Sequence, residues 1–369
     1  MHVDDVTLQV FPWDNIPTTY YSSSIKVGGA PSRLGLLTLT TSDGLEGHAF
    51  LGSALHSVDL DAESLIRVLK PVVLGQNPFE RERLNAALWA RRLRTTVRAI
   101  GAMDVALWDL ASKAAGLPLY QYLGAYRDKV PAYCSSQMHD SPEAYVEQAL
   151  AFQARGWKAY KLHSSHPWRE AAAMCEAVRQ AAGGEFALML DSVWSYNSDD
   201  ALELGRAIEA LDFEWYEDPL PYTQIDSYPP LCAALKVPVM ATEAPPNGLT
   251  HYAAWITRRA TDFLRGDVAM KGGITTLLKA AHLAEAFGMR YEVHMGANSL
   301  NDVANLHVIL AIRNCGYYEV LQPSAAHQFG LLCDVEIDAE GFARPPGGPG
   351  LGGEIDFDRI RRTAVSLLR

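Results

Sequence analysis

Short apolar runs along the second half of the chain each lead into an ionisable residue, at a nearly constant spacing. These residues are Asp191 in ALMLD, Glu217 in FEWYE, Glu243 after PVMAT, Asp267 after FLRG and His294 in RYEVH. Neighbours are roughly 26 residues apart, about one strand, one crossover helix and two short loops. Steps upstream reach Lys161 and His163 in AYKLH and Cys134 in VPAYC, and a step downstream reaches Glu319 in YYEV. The pattern predicts eight parallel strands that close into a barrel, with these side chains at one mouth.

The first 125 residues show a different pattern. Val6–Val10 and Leu34–Thr41 alternate or run apolar, and Asp43-Gly44 is a hairpin signal. From Val97 to Ala111 apolar residues recur at helical spacing, until Gly116-Leu117-Pro118 ends the helix. Strands followed by a helix predict an α+β unit and not a repeating βαβ array.

From Lys129 to about Pro323 strand and helix patterns alternate; SPEAYVEQALAFQARG, for example, has a Ser N-cap and a Gly stop. The last residues, PPGGPGLGGEIDFDRIRR, are too rich in Gly and Pro for a barrel element and are predicted to return to the first unit as an extended arm. We therefore predict an α+β capping domain over 1–125, a barrel over 126–325 and a returning segment over 326–369.

Composition and charge exclude several classes of protein. With 369 residues and 49% hydrophobic content, the chain is long enough for a barrel and a smaller domain. The formal charge of -11 and the pI near 5.5 argue against a nucleic-acid partner. The one basic cluster, Arg91, Arg92, Arg94 and Arg98, is interpreted as a solvated or interdomain helix face. No apolar run reaches the roughly 18 residues of a membrane span, so no membrane partner is expected.

The five cysteines are scattered and never form a CxxC pair, which favours reduced thiols and a cytoplasmic location. The opening residues, MHVDDVTLQVFPWD, lack the basic and apolar regions of a signal peptide.

Three carboxylates on successive strand ends, Asp191, Glu217 and Glu243, form an all-oxygen set without clustered Cys or His. Such hard ligands suit Mg²⁺ or Mn²⁺ and not Zn²⁺. The alternative is that acids at strand ends face solvent or cap the next helix.

Several longer motifs resemble one known family. They are ALWDLASKAAGLPLYQYLGA (106–125), WYEDPL (215–220), the Glu243 strand after KVPVMAT, GDVAMKGGIT (266–275), and the stretch from GLLCDVEIDAEG to GPGLGGEID. In this order, and over nearly the whole chain, they resemble the mandelate racemase and muconate lactonizing branch of the enolase superfamily. The resemblance implies an α/β fold: a modified (β/α)7β barrel of the TIM type, with an N-terminal α+β capping domain that the C-terminal segment completes.

The resemblance also implies roles for individual residues. Asp191, Glu217 and Glu243 match the ligands of Mg²⁺, which holds the substrate carboxylate, and Glu319 matches a glutamate near that carboxylate. Asp267 and His294 match an acid/base pair in which the aspartate orients the histidine. Lys161 matches the first lysine of a Lys-x-Lys pair. His163 stands where the second would be, as a base, a hydrogen-bond donor or a passive polar wall.

The altered second face bears on the reaction type. A racemase needs a base on both faces of the alpha carbon, whereas a syn dehydration can use one strong face. We therefore expect dehydration of an aldonate or aldarate, with a racemase, epimerase or cycloisomerase as the alternative. Distant alternatives are a Schiff-base aldolase that uses Lys161, and a barrel that binds a sugar acid without catalysis. Barrels of this family usually assemble, so a homo-oligomer is expected.

Specificity is expected from loops of the capping domain, where Gly28 and Gly29 would let the first loop act as a lid. Two departures from many relatives are the apolar Val193 after Asp191 and the aromatic Trp194 and Tyr196 that follow. The candidate specificity residues are Tyr20, Tyr21, Lys26, His48, Phe50, His56 and Trp194.

Overall fold

The computed structural model describes residues 1–244 and 248–369. The strands in this part of the chain are β1 (Val3–Trp13), β2 (Thr19–Tyr20), β3 (Lys26–Val27), β4 (Ser32–Thr41), β5 (Glu46–Leu51), β6 (Val130–Ser135), β7 (Ala159–His163), β8 (Ala187–Asp191), β9 (Trp215–Glu217), β10 (Val239–Ala241), β11 (Phe263–Gly266), β12 (Arg290–Val293), β13 (Tyr318–Leu321), β14 (Phe342–Ala343) and β15 (Ser366–Leu368).

The helices of the same residues are α1 (Ala62–Ser64), α2 (Lys70–Val73), α3 (Arg81–Trp89), α4 (Val97–Ala114), α5 (Leu119–Tyr122), α6 (Pro142–Ala154), α7 (Trp168–Ala182), α8 (Ser198–Ala210), α9 (Tyr228–Ala234), α10 (Leu249–Thr257), α11 (Ile274–Ala286), α12 (Ser299–Ala311) and α13 (Phe357–Thr363). A π-helical turn over Leu65–Leu69 joins α1 to α2. Across the described ranges, none of these helices is long and apolar enough to cross a membrane.

Eight parallel strands, β6 to β13, form the barrel that the sequence predicts. Their order is β12-β11-β10-β9-β8-β7-β6-β13, so the last strand pairs with the first. A helix follows each strand from β6 to β12, which gives seven β/α units and a final strand. The predicted (β/α)7β fold is therefore confirmed.

The lower half of the barrel interior, on the side of the amino ends of the strands, contains an apolar cluster. Tyr133, Ala159, Met189, Trp215 and Met240 are buried together there, each from a different strand. Because inward-facing residues of successive barrel strands interleave in layers, this half is a packed core and not a pore. The ionisable residues predicted from the sequence lie in the opposite half, at or just after the carboxyl ends of the strands.

The capping domain is an antiparallel sheet in the order β15-β1-β4-β5, against which helix α4 packs. The C-terminal segment returns to this domain as predicted, since Leu368 pairs with Leu8. It is not simply an extended arm, because the side chain of Asp356 accepts from the backbone N–H of Arg359 and starts helix α13.

The basic cluster differs from its predicted helical face. Helix α3 ends at Trp89, and Arg91, Arg92 and Arg94 lie exposed in the turn that follows. Thr96 accepts from the N–H of Ala99 and starts α4, so the chain cannot continue as one helix. Arg98 alone lies on α4, where its guanidinium binds both carboxylate oxygens of the buried Asp61.

A buried aspartate joins the capping domain to the barrel. Asp104 on α4 accepts from the Thr275 N–H at 2.9 Å, from the Thr275 hydroxyl at 2.7 Å and from Asn85 at 3.0 Å. Thr275 lies in the first turn of α11, whose free N–H groups and positive dipole end favour a carboxylate. Gly273, with φ 99°, has no room for a side chain, since a Cβ there would lie 2.4 Å from Asp104 Oδ2.

Replacing Asp104 by alanine is expected to lower the free energy of unfolding by about 2–3 kcal/mol, because it leaves buried donors on α11 unpaired. Burial raises the pKa of Asp104 to about 6, despite its hydrogen bonds. The carboxyl group of Asp104 therefore binds its proton more tightly in the folded state than in the unfolded state. As pH rises from about 4 to about 6, the free energy of unfolding of the wild type should fall relative to that of Asp104→Asn. Urea melts across this pH range measure both effects. Asp226→Ala, which removes an exposed partner of Arg258, is the control and should cost under about 0.5 kcal/mol.

Candidate active site

The barrel brings the predicted ionisable residues to one mouth. Asp191 and Glu217 close β8 and β9, Glu243 lies two residues after β10, Asp267 and His294 directly follow β11 and β12, Lys161 and His163 lie on β7, and Glu319 lies on β13. All of them except Glu243 and His294 are buried, and those two are half-buried.

The three carboxylates that the sequence assigns to a metal lie together. Asp191, Glu217 and Glu243 each offer one oxygen, and these oxygens lie within 4.8 Å of one another. Glu217 Oε1 is buried and makes no hydrogen bond of regular geometry among the described residues, although Arg265 Nε lies 2.5 Å from it. Burial raises the pKa of Glu217, although Arg265 and Lys161 oppose the rise, and a cation held by the three groups would favour its ionised form. The residues therefore fit Mg²⁺ or Mn²⁺.

The backbone around these carboxylates is strained. Val193, Trp194, Asp218 and Thr242 have positive φ values of 46°, 59°, 41° and 85°. Such conformations are unfavourable for residues with a Cβ, most of all for β-branched Val193 and Thr242. They persist where surrounding contacts impose them, and they concentrate at functional sites. Here the Val193 N–H donates to Asp191 Oδ1 at 2.9 Å and holds that carboxylate in place.

A fourth acidic residue, not identified from the sequence, lies beside the three. Asp218 is buried, and neither of its carboxyl oxygens has a hydrogen-bond partner in the described ranges. Burial, reinforced by the charges of Glu243, Asp191 and Glu217, raises the pKa of Asp218 well above its usual value. Both burial and the neighbouring carboxylates thus disfavour the charged form of Asp218 at the edge of the cluster.

His294 and Asp267 form the predicted pair. His294 Nδ1 lies 2.6 Å from Asp267 Oδ2, and the other oxygen of Asp267 accepts from the Met270 N–H at 2.7 Å. His294 Nε2 points towards Glu243 Oε1 at 3.4 Å. Burial alone would lower the pKa of His294, but Glu243 and Asp267 outweigh it and raise the pKa to about 9. The imidazole therefore carries a proton that it can donate at neutral pH.

Lys161 is held in ion pairs. Its Nζ lies 2.7 Å from Glu217 Oε2, 2.8 Å from Glu319 Oε1 and 3.4 Å from Asp191 Oδ2. Burial and Arg265 lower its pKa, but Glu217 and Glu319 outweigh them and raise the pKa of Lys161 well above its usual value. These ion pairs favour the charged form of the amine, which opposes its use as a base or as a nucleophile towards a carbonyl.

His163 faces the same carboxylates from β7. Its Nδ1 lies 2.6 Å from the Ser136 carbonyl, to which it donates, and its Nε2 lies 3.1 Å from Asp191 Oδ2. Any proton that His163 exchanges must therefore pass through Nε2, which adjoins a metal-ligand candidate.

Tyr21 is the specificity candidate that the structure brings into contact with these residues. Its ring meets His163 edge-on at 4.9 Å, and its hydroxyl lies 2.8 Å from the Gln322 carbonyl and 2.6 Å from His327 Nε2. His327 is buried and was not identified from the sequence, because it follows the last strand and lies outside the repeating pattern. The contact ties the first capping loop to the end of β13.

The other candidates on this loop lie further out. Tyr20 and Lys26 pair across the short β2–β3 hairpin and are exposed, while the Tyr20 carbonyl accepts from the Met138 N–H at 2.7 Å. Gly28 and Gly29 have φ values of 73° and 75°, and a Cβ on Gly28 would lie 2.2 Å from the Pro17 carbonyl. The backbone of residue 28 lies so close to the Pro17 carbonyl that only glycine fits there, whether or not the loop also moves as a lid.

Three candidates lie on or just after β5. The His48 N–H donates to buried Asp109 at 2.8 Å, and the His48 ring lies against Phe357 of the C-terminal segment. Phe50 is buried against Phe11. His56 is half-buried near Arg98.

Trp194 lies next to the carboxylates. Its N–H donates to the Asp218 carbonyl at 2.7 Å, and its ring packs edge-on against Tyr222 at 5.6 Å. It lies three residues after Asp191, on the β8 side of the mouth.

Arg265 is a buried residue of the mouth that the sequence analysis did not identify. It lies two residues before Asp267, on the inward face of β11, and is fully buried. Its guanidinium contacts Glu217 Oε1 at 2.5 Å, Glu319 Oε2 at 2.5 Å and Glu243 Oε2 at 3.6 Å. An arginine in a run that otherwise predicts a buried strand is the signal that could have revealed it.

Comparison with known proteins agrees with this geometry. Residues 24–124 match the mandelate racemase / muconate lactonizing enzyme N-terminal domain, and residues 144–359 match the enolase C-terminal domain-like family. The chain is 28% identical to an arabinonate dehydratase of Saccharolobus solfataricus, over 87% of this chain and 88% of the relative. It is 29% identical to a 3,6-anhydro-alpha-L-galactonate cycloisomerase of Streptomyces coelicolor, over 88% of this chain and 89% of the relative.

Among solved structures, a D-glucarate dehydratase from Agrobacterium tumefaciens complexed with magnesium superimposes with a TM-score of 0.85. It shares 34% identity over 99% of this chain and all of the other. Together with the matched domains and the carboxylate cluster, these similarities establish that the chain belongs to the mandelate racemase and muconate lactonizing branch of the enolase superfamily.

Proposed function

We propose that this protein abstracts the proton alpha to a carboxylate with the aid of Mg²⁺, and that its reaction is dehydration of an aldonate or aldarate to a 2-keto-3-deoxy acid. The observation that carries the proposal is the difference between the two faces of the mouth. His294 is a proton donor oriented by Asp267, whereas Lys161 is fixed as a cation by Glu217 and Glu319. The two faces therefore carry different groups: the His294–Asp267 pair lies on one, and His163 lies beside the fixed cation Lys161 on the other.

The proposed roles follow from this arrangement. Bound at Asp191, Glu217 and Glu243, Mg²⁺ would supply Lewis-acid stabilisation of the negative charge that develops on the substrate carboxylate. Lys161 adds a fixed positive charge at the same place, and Glu319 is held beside it.

Proton transfer falls to the two histidines. His163 is the candidate base: its Nε2 takes the alpha proton, and the C–H electron pair becomes the C=C bond as the beta C–O bond breaks. His294 gives its proton to the departing hydroxide, which leaves as water. The resulting enol then tautomerises to the 2-keto-3-deoxy acid.

The proposal is tested with a library of aldonates and aldarates incubated with enzyme and Mg²⁺, with 2-keto acid formation read by a carbonyl reagent. We expect at least one substrate to give a 2-keto-3-deoxy acid that is lighter than the substrate by one water. Alpha-proton exchange without net product would point instead to racemisation, and complete inactivity with tight binding would point to a binding protein.

A cycloisomerase is the second candidate, because a relative of that name matches nearly the whole chain. Anhydro sugar acids and acid lactones therefore belong in the same library. A product with unchanged mass would identify isomerisation. The Schiff-base alternative is opposed by the ion pairs that Lys161 makes with Glu217 and Glu319, and borohydride trapping should give no adduct.

The identity of the base is tested by exchange in heavy water. We expect His163→Ala to lose exchange of the substrate alpha proton, and His294→Asn to retain it, because the two histidines lie on different strands of the mouth. Deuterium incorporation measured by NMR separates them. Retained exchange in His163→Ala would show that the base lies elsewhere.

A further inference from the structure

Four charged side chains alternate in sign around a closed ring inside the barrel. Lys161 contacts Glu217 Oε2 and Glu319 Oε1, at 2.7 and 2.8 Å. Arg265 contacts the other oxygen of each, Glu217 Oε1 through Nε and Glu319 Oε2 through Nη2, both at 2.5 Å. Each carboxylate oxygen thus faces one cation, and none of the four side chains is more than 1% exposed.

The ring has a simple origin in the barrel. Its members lie on β7, β9, β11 and β13, which are alternate strands of the eight. Inward-facing side chains of alternate strands form one layer in this type of barrel, usually of bulky apolar residues. Here one such layer, above the apolar lower half, consists of two cations and two carboxylates.

The layer is neutral in sum, since two positive and two negative groups face one another. Unpaired charges buried at this depth would be strongly destabilising. Without Arg265, Glu217 and Glu319 would share Lys161 alone, and one oxygen of each would lose its cation.

Arginine suits this position because its planar fork presents separate nitrogens in fixed directions, whereas lysine has one compact charge. Nε and Nη2 contact carboxylates on opposite sides of Arg265 in the barrel, one on β9 and one on β13. Nη2 also lies 3.3 Å from the Tyr133 hydroxyl, which restricts the guanidinium further.

We propose that Arg265 is a positioning residue that closes this charged layer and so fixes the metal ligand Glu217 together with Glu319. This inference rests on the proposed use of Glu217 for Mg²⁺. Arg265 itself does not touch the metal or the reacting carbon. Arg265 and Lys161 contact different oxygens of Glu217. The carboxylate therefore cannot rotate towards one cation without losing its contact with the other.

The test is titration of the folded protein with Mg²⁺ alone, by calorimetry, without substrate. We expect Arg265→Lys, which keeps the charge but loses the fork, to raise the Kd for Mg²⁺ at least ~10-fold, or about 1.4 kcal/mol. Arg265→Gln should weaken Mg²⁺ binding as well. If Arg265 acted only through its charge, lysine would leave the affinity unchanged, and glutamine would tighten it by removing a repulsive cation.

Arg290→Lys is the matched control. Arg290 also pairs with two glutamates, Glu214 at 3.0 Å and Glu292 at 2.6 Å, but at the amino end of β12. The Arg290→Lys variant should bind Mg²⁺ with the same affinity as the wild type. Circular dichroism and thermal melts establish that each variant is folded, and Arg265→Lys decides the question if Arg265→Gln does not fold.

The outcomes separate the two proposals. Wild-type protein that binds no Mg²⁺ would remove the metal function itself, and the inference with it. Wild-type binding with an unchanged Kd in Arg265→Lys, or tighter binding in Arg265→Gln, would overturn the positioning role alone. Failure of Arg265→Lys to fold beside a folded Arg290→Lys would also overturn it, because the layer would then serve folding and not positioning.

Discussion

Glu217→Gln should lose at least ~10³-fold in kcat while the protein remains folded, because the substitution removes a metal ligand worth several kcal/mol to the transition state. Glutamine keeps the shape of the side chain, and its carbonyl can still accept from Trp215 Nε1, now 3.3 Å from Glu217 Oε2. What it loses is the negative charge that faces Lys161, Arg265 and any bound cation.

The measurement that isolates the metal is thermal stability. A ligand that binds only the folded state raises the melting temperature, so wild type should melt at a higher temperature with Mg²⁺ and Glu217→Gln should not. Glu292→Gln is the control, since Glu292 is equally buried and contacts Arg290 at the other end of the barrel. That variant should be less stable but keep its response to Mg²⁺. A full Mg²⁺ response with full turnover in Glu217→Gln would remove the metal assignment.

His294→Asn should reduce dehydration by roughly 10²–10⁴-fold, the usual contribution of a general acid or base, with Mg²⁺ binding retained. The loss arises because asparagine has no proton to give to the departing hydroxide. His307→Asn is the control: His307 is also buried, but it contacts the Tyr120 N–H and the Leu351 carbonyl away from the mouth. Its substitution should cost stability and not chemistry. Wild-type turnover in His294→Asn would show that the acid is another group.

The pH dependence has a definite sign. With the pKa of His294 at about 9, the acid is protonated at lower pH, so the rate should fall as pH rises through this range. A cation bound at Glu243 would offset part of the charge that raises this pKa. The falling limb should therefore lie below pH 9 in the Mg²⁺-loaded enzyme, and it should be absent from any residual activity of His294→Asn.

The repeating spacing was sufficient to predict the barrel, because a β/α unit has a nearly fixed length and its strand ends must meet at one edge. The same logic found Asp191, Glu217 and Glu243. It could not find Asp218, which follows Glu217 directly and should point to the other face of a regular strand. Its positive φ changes that direction.

Arg265 was missed for a different reason. Its partners lie on strands far along the chain, and only closure of the barrel brings them within 2.5 Å.

In the capping domain, the surroundings of the β5 side chains depend on sheet register and on the position of the returning segment. Neither follows from local pattern, so His48 and Phe50 were named as specificity candidates, although His48 contacts Asp109 and Phe357 and Phe50 contacts Phe11, within the capping domain and the returning segment.

The contact of Asp104 with Thr275 and Gly273 bears on how far the two domains can be treated as interchangeable modules. A barrel expressed alone would leave the first turn of α11 without its acceptor, and a foreign capping domain would need an aspartate in register with a glycine that has no room for a side chain. Chimaeras built to exchange substrate preference must therefore carry Asp104, Gly273 and Thr275 across the junction as a unit.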